Sequence, residues 1–136
     1  MSAYPRPLPR VTPDNLPFWE AARRHELRLQ RCGACGRFWH PPGPVCPDCL
    51  SERFDWTPVS GRGTVSSFVV FHKTYFPAFA DAIPYAVVQV ELEEGPRLTA
   101  NLVNVPLAEI RIGMPVSVVF DDVTPEISIP RFRRAP

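Results

Sequence analysis

Four cysteines within an 18-residue window constrain this 136-residue chain more than any other feature. They form two C-x-x-C pairs, Cys32/Cys35 and Cys46/Cys49, separated by ten residues. A C-x-x-C turn points two thiolates at one cation, and two such turns complete a tetrahedral four-sulfur site. Gly33 and Gly36 let the backbone fold tightly around the first pair. The intervening segment carries Pro41, Pro42 and Pro44 and has only to return the chain. The N-terminus lacks the apolar core of a secretory signal, so the chain reads as soluble and cytoplasmic, where thiols stay reduced. That argues against disulfides. A thioredoxin-like redox pair would need one such motif in a different fold. The expectation is one metal ion held by Cys32, Cys35, Cys46 and Cys49.

The two pairs also resemble the knuckles of rubredoxin, which holds iron. The short separation favours zinc instead, redox-silent in a closed four-sulfur set. Four protein ligands leave no open position for water, so such a metal is a staple rather than a reactor.

From Asp14 the chain reads as a short helix to about Arg24, with Asp14 or Asn15 as the cap and Pro17 in the first turn. Leu16, Trp19 and Ala22 recur at three-residue spacing, and Phe18 widens the apolar face. That helix docks on its own domain or on another subunit. Leu27 and Leu29 alternate with Arg28 and Gln30 as a strand running into Cys32.

Beyond Gly61 and Gly63 the chain is strand-like. The strands are expected around Val65–Phe71, Ala86–Leu92, Leu98–Val105, Val116–Phe120 and Ile127–Phe132, with one helical turn at Pro106–Ile110. Five short strands with a brief helix between the third and fourth is the order of an OB-fold barrel. The expected fold is therefore mainly β: an N-terminal arm and helix (1–25), a rubredoxin-like zinc ribbon (26–58) and a five-stranded OB-fold (59–136). Mean hydropathy is near zero and no apolar run is long enough to span a membrane.

Function is approached partly by exclusion. The 15 basic and 14 acidic residues nearly cancel, which argues against a dedicated nucleic-acid binder. Glu91, Glu93 and Glu94 face only Arg97 in the second and third strands, which suits phosphate poorly. If all four cysteines bind metal, no thiol is left as a nucleophile. His25, His40 and His72 read as edge or surface residues, and no nucleophile elbow or phosphate loop is present. No catalytic residue is assigned. Between the first two barrel strands, Tyr75, Phe76 and Phe79 lie in one proline-bearing loop; they cap the barrel mouth or form an interface or ligand lid. Arg131, Arg133 and Arg134 read as a solvated tail or a phosphate contact.

Several dispersed motifs resemble one family. These are Phe18-Trp19-Glu20 before Leu27, the ribbon ending Cys46-Pro47-x-Cys49, and Trp56-x-x-Val59-Ser60-Gly61-x-Gly63-x-Val65. Pro84-Tyr85-x-Val87, Val90-x-Leu92-x-Glu94-Gly95-x-Arg97-Leu98 and Ile112-Gly113-Met114-Pro115-Val116 complete the set. Together they resemble the zinc-ribbon/OB-fold proteins long described as a domain of unknown function linked to acyl-CoA metabolism. The resemblance runs from about residue 14 to Phe132. It implies a non-catalytic accessory subunit of a thiolase-superfamily enzyme, either a CoA-ester thiolase or a thiolase-like aldolase of the kind that shortens steroid side chains. Such a subunit stabilises a hetero-oligomer and helps shape a shared acyl-CoA channel. The family's four metal ligands fall on Cys32, Cys35, Cys46 and Cys49, and Phe18, Trp19, Tyr75, Phe76 and Phe79 are candidate partner or channel contacts. The rival readings are a nucleic-acid-binding ribbon/OB module, a rubredoxin-like electron carrier and a free-standing CoA-binding enzyme.

Overall fold

A computed structural model describes residues 4–136. Helix α1 (Leu16–Arg23) is followed by a three-stranded sheet, β1 (Arg28–Cys32), β2 (Phe38–Trp39) and β3 (Phe54–Pro58), in the order β2-β1-β3. The remaining strands are β4 (Arg62–Phe71), β5 (Tyr85–Leu92), β6 (Arg97–Leu102), β7 (Pro115–Asp122) and β8 (Ser128–Arg134). They close a barrel in the order β4-β5-β6-β8-β7. One 3-10 turn, Leu107–Glu109, lies between β6 and β7. This is the OB-fold order the strand pattern predicts, and the fold is mainly β with one short helix.

Closure depends on β4 pairing along both edges. A register shift between Val65 and Ser67 bends the strand, so its first residues meet β7 while its whole length meets β5. Gly63 sits where β4 and β5 approach most closely: a Cβ there would lie 2.3 Å from the Glu91 carbonyl oxygen. Inside, Val65, Val88, Val90, Val116 and Phe132 are almost wholly buried. Alternation along β5 sends Ala86, Val88, Val90 and Leu92 inward and the residues between them outward.

The barrel's weakest seam is β6–β8, a parallel contact with one paired position, Leu102 opposite Phe132. Helix α1 lies against this region through Phe18, which joins the barrel core together with Leu27 and Leu29 of the next segment. The first half of the ribbon sheet and the barrel thus share one apolar interior. Cys32, Trp39 and Cys46 form a separate cluster, with Phe54 against it.

Several expectations are corrected. The buried stripe of α1 is Phe18, Ala21 and Ala22, whereas Leu16 is exposed, because the seam meets the helix one position away from the three-residue pattern. Neither Asp14 nor Asn15 caps the helix with its side chain. The Asn15 carboxamide instead accepts from the Thr12 N–H and donates to the Arg10 carbonyl, bracing the preceding turn. Strand β3 pairs with the full length of β1, although Phe54–Pro58 gave no clear strand signal. The C-terminal arginines lie in β8 rather than in a tail: Arg131 bonds Asp121 and Asn101, and Arg134 bonds Glu109.

Candidate functional site

The four cysteine sulfurs converge at the tip of the ribbon, all within 4.8 Å of one another. Two loops of matching backbone geometry bring them there. In the first, the Cys32 N–H donates to the Arg37 carbonyl at 2.8 Å and the Gly36 N–H to the Cys32 carbonyl at 3.0 Å. In the second, the Cys46 N–H donates to the Ser51 carbonyl at 3.0 Å and the Leu50 N–H to the Cys46 carbonyl at 2.9 Å. Both loops place a left-handed residue after their second cysteine, Gly36 at φ 78° and Leu50 at φ 63°. The glycine is legible in the sequence; the leucine, an unusual occupant of that conformation, is not.

The sulfur spacing suits a cation. Cys32 Sγ lies 3.5 Å from Cys49 Sγ, and Cys35 Sγ lies 3.6 Å from Cys46 Sγ. A tetrahedral zinc with Zn–S near 2.3 Å requires sulfur–sulfur edges of about 3.8 Å, whereas a disulfide requires about 2.0 Å. The Cys35 and Ala34 N–H groups point at Cys32 Sγ and draw its pKa down to about 6. Cys46 is lowered similarly, chiefly by the Cys49 N–H. For Cys35 the Arg37 N–H pulls downward, but desolvation and the neighbouring sulfurs outweigh it and push the thiol up to about 12. Each loop thus has one sulfur favoured as thiolate and one held as thiol by its neighbours. A bound dication removes that conflict.

The supporting contacts are specific. The Arg37–Asp48 ion pair ties the two loops together. Trp39 meets Phe54 edge-to-face at 5.6 Å beneath the cysteines. Gln30, an outward residue by simple alternation, is buried, donating to the Gly43 carbonyl at 2.7 Å and accepting from the Gly43 N–H at 2.9 Å. It fastens the proline segment to β1, a role no sequence signal marks.

Beside the ribbon lies an open cleft of ≈ 1120 Å³ against the outer face of β5 and β6. Trp39, His40 and Pro41 form one wall; Gln89, Arg97 and Thr99 form the other. His40 is half-buried at the edge of this cleft: desolvation takes its pKa down to about 4, and its ring lies 5.5 Å from Phe18. His25 turns the chain from α1 into β1 and stacks on Phe120.

The candidate contact residues divide. Phe18 is only 7% exposed and lies in the chain's own core. Trp19 is half-buried beside it, ring centroids 5.0 Å apart. Phe79 ends a 3-10 turn (Pro77–Phe79), packs on Tyr85 and lies under the Arg6 guanidinium, which also bonds the Ala78 carbonyl. Tyr75 and Phe76 stand out into solvent at 62% and 58% exposure. The loop therefore both seats itself on the barrel and presents rings outward.

Comparison with known proteins fits this architecture. Residues 19–55 match the model described as ChsH2, rubredoxin-like zinc ribbon domain, and residues 56–121 match ChsH2, C-terminal OB-fold domain. A DUF35 domain-containing scaffold protein of Methanothermobacter thermautotrophicus is 35% identical over 105 residues, covering 76% of this chain and 78% of that one. The chain belongs to the DUF35 family. Other relatives are larger proteins. A probable enoyl-CoA hydratase alpha subunit of Thermomonospora curvata is 46% identical over 130 residues, 96% of this chain but 40% of the relative's length. This chain thus spans well under half of that protein. The benzoylsuccinyl-CoA thiolase subunit BbsA of Thauera aromatica is 31% identical over 94 residues, 69% of this chain and 63% of BbsA. Among solved structures, a chain of the Ltp2-ChsH2(DUF35) aldolase superposes with a TM-score of 0.86 and 43% identity, covering 95% of this chain and 100% of that one.

Proposed function

We propose that this DUF35 chain is a non-catalytic accessory subunit of a thiolase-superfamily enzyme acting on a CoA ester, either a thiolase or a thiolase-like aldolase. The end-to-end likeness to a chain of the Ltp2-ChsH2(DUF35) aldolase carries the reading. The kinship with a thiolase subunit supports it. So does the fate of the thiols: a thiolase needs a cysteine nucleophile, and all four cysteines here are drawn into one site.

In this proposal the ribbon (26–58) holds one structural zinc on Cys32, Cys35, Cys46 and Cys49, and the barrel (59–136) supports the catalytic subunit and completes its acyl-CoA channel. The cation stabilises the ribbon tip; the protein's own contribution is the paired loops and N–H groups that shape the sulfur set. A cytoplasmic setting belongs to the same proposal, because the free thiols must stay reduced to bind metal. No helix among the described residues is long and apolar enough to cross a membrane.

The nucleic-acid reading fares worse on the barrel's surface. OB-folds bind oligonucleotides on their second and third strands, and here that face is overhung by the ribbon and carries Glu91 opposite Arg97.

The test is co-expression of the tagged chain with a thiolase-like protein from the same organism, followed by size exclusion and assay. Co-elution in fixed ratio, with thioester turnover dependent on both chains, is the expected result. A chain that elutes alone and turns over a CoA thioester by itself would overturn the reading.

A further inference from the structure

The geometry points to the outer face of β4–β5, continued by the Tyr75–Phe76 loop, as the surface on which the catalytic subunit seats. This inference rests on the accessory-subunit reading and says where the contact lies. Strand register builds the patch. Val69 pairs with Val87 and Phe71 with Tyr85, and these positions point away from the core because the residues between them, Val70 with its partner Ala86 and the buried Val88, take the inward positions. The Phe71 and Tyr85 rings stack at 5.1 Å, and Tyr75 meets Phe71 edge-on at 5.8 Å. Val69 is 54% exposed. One apolar strip therefore runs from mid-strand to the loop tip.

Leu8, Val11, Leu16, Leu50 and Ile112 are also exposed but lie outside this strip, and two aromatic rings elsewhere are covered by the chain itself. Phe18 of α1 joins the barrel core beside the β6–β8 seam, and Arg6 of the N-terminal arm covers Phe79. Tyr75, Phe76 and Val69 each remain more than half exposed. These three side chains line neither the cleft beside the ribbon nor a second one between Phe79, Tyr85 and Phe120, which suits a partner surface better than a small ligand.

Charge selects the kind of partner. From Val65 to Ala80 the chain carries one formal charge, Lys73, where its overall 21% charged composition would place about three. A nucleic acid or an anionic membrane needs several cations on such a face. A protein surface that is apolar at its centre needs none. Lys73 Nζ lies 5.3 Å from the Tyr75 ring centroid, at the rim, where a carboxylate of the partner would meet it without being stranded in the apolar centre. The occupant that suits this face is thus a folded protein with an uncharged apolar surface edged by an acidic group, and under the accessory-subunit reading that protein is the catalytic subunit.

The test measures affinity of the co-expressed thiolase-like subunit for three forms of the chain: wild type, Tyr75→Ser/Phe76→Ser with Val69→Asp, and Ile112→Ser. Ile112 is equally exposed, but its loop bonds β4 near Val65, at the strand's other end. Exposed substitutions leave the core intact, and unchanged thermal unfolding with unchanged metal content verifies folding. The triple variant is expected to bind about 100-fold more weakly or worse, with Ile112→Ser unchanged. Hydrogen exchange on the wild-type complex should slow in residues 68–79. If the triple variant binds like wild type and 68–79 stays unprotected, the docking face is elsewhere while the accessory role stands. If wild type itself fails to bind the thiolase-like subunit, the accessory role and this inference fall together.

Discussion

His25 Nε2 lies 2.8 Å from Asp122 Oδ1, joining the residue where α1 turns into β1 to the end of β7. The Ser128 hydroxyl donates to the same carboxylate oxygen. Three separate segments thus meet on one carboxylate, at a left-handed residue (His25, φ 60°) that has no glycine to ease the turn.

These contacts set an acid dependence. The Asp122 carboxyl is held below its ordinary 3.8, first by the Ser128 hydroxyl and then by His25. A lowered folded value means the stabilisation is complete above the unfolded carboxylate pKa and is lost as pH falls through the folded one. Asp122→Asn should therefore flatten the fall of stability below about pH 4 relative to wild type. Urea unfolding between pH 3 and pH 7 measures it; parallel curves would refute the assignment.

Removal of the metal should collapse the ribbon tip. Trp39 and Phe54 are packed around buried Cys32 and Cys46, so their ordering depends on the sulfurs staying together. Ribbons that fold only with zinc draw about 10 kcal/mol or more from binding it. A strong chelator, or Cys35→Ser, is expected to abolish one bound zinc per chain and shift tryptophan emission to the red. Full metal loss with unchanged emission and melting would show that the ribbon stands without it.

Phe18→Ala should act as a core deletion. Its burial against the barrel predicts a loss of about 3–5 kcal/mol of stability, read by chemical denaturation. A loss below about 1 kcal/mol together with loss of the partner would instead place Phe18 at the subunit contact.

The two glycines of the β4–β6 hairpins should behave differently. Gly63→Ala drives a Cβ into the Glu91 carbonyl and Val90, in a strand pair that cannot separate without opening the barrel. A cost of about 3 kcal/mol is expected. Gly95→Ala meets no atom within 4 Å and strains only the backbone at φ +114°, costing about 1–3 kcal/mol. Its melting temperature should fall without the aggregation that barrel opening brings to Gly63→Ala. Identical behaviour of the two would contradict the close-approach argument.

The cysteine spacing and the five-strand order were both readable along the chain, because each depends on neighbours in sequence: cysteine pairs three positions apart and period-two alternation. The family followed from motifs spread over nearly the whole length. What lay beyond reach depends on residues far apart. That α1 uses Phe18 and the two alanines rather than Leu16 is decided by where the seam beside β8 presents itself. Gln30 looked solvent-facing until Gly43 folded over it. His40 is half-buried where α1 brings Phe18 beside it, and the desolvation lowers its pKa. The aromatic loop could be read as a cap or as an interface from sequence. The structure divides it: Arg6, some seventy residues away in the chain, covers Phe79 and leaves Tyr75 and Phe76 bare. Local chemistry determined most of the elements and the four-cysteine cluster; which apolar side chains are covered was settled only by three-dimensional packing, because burial is a property of neighbours that the chain order does not specify.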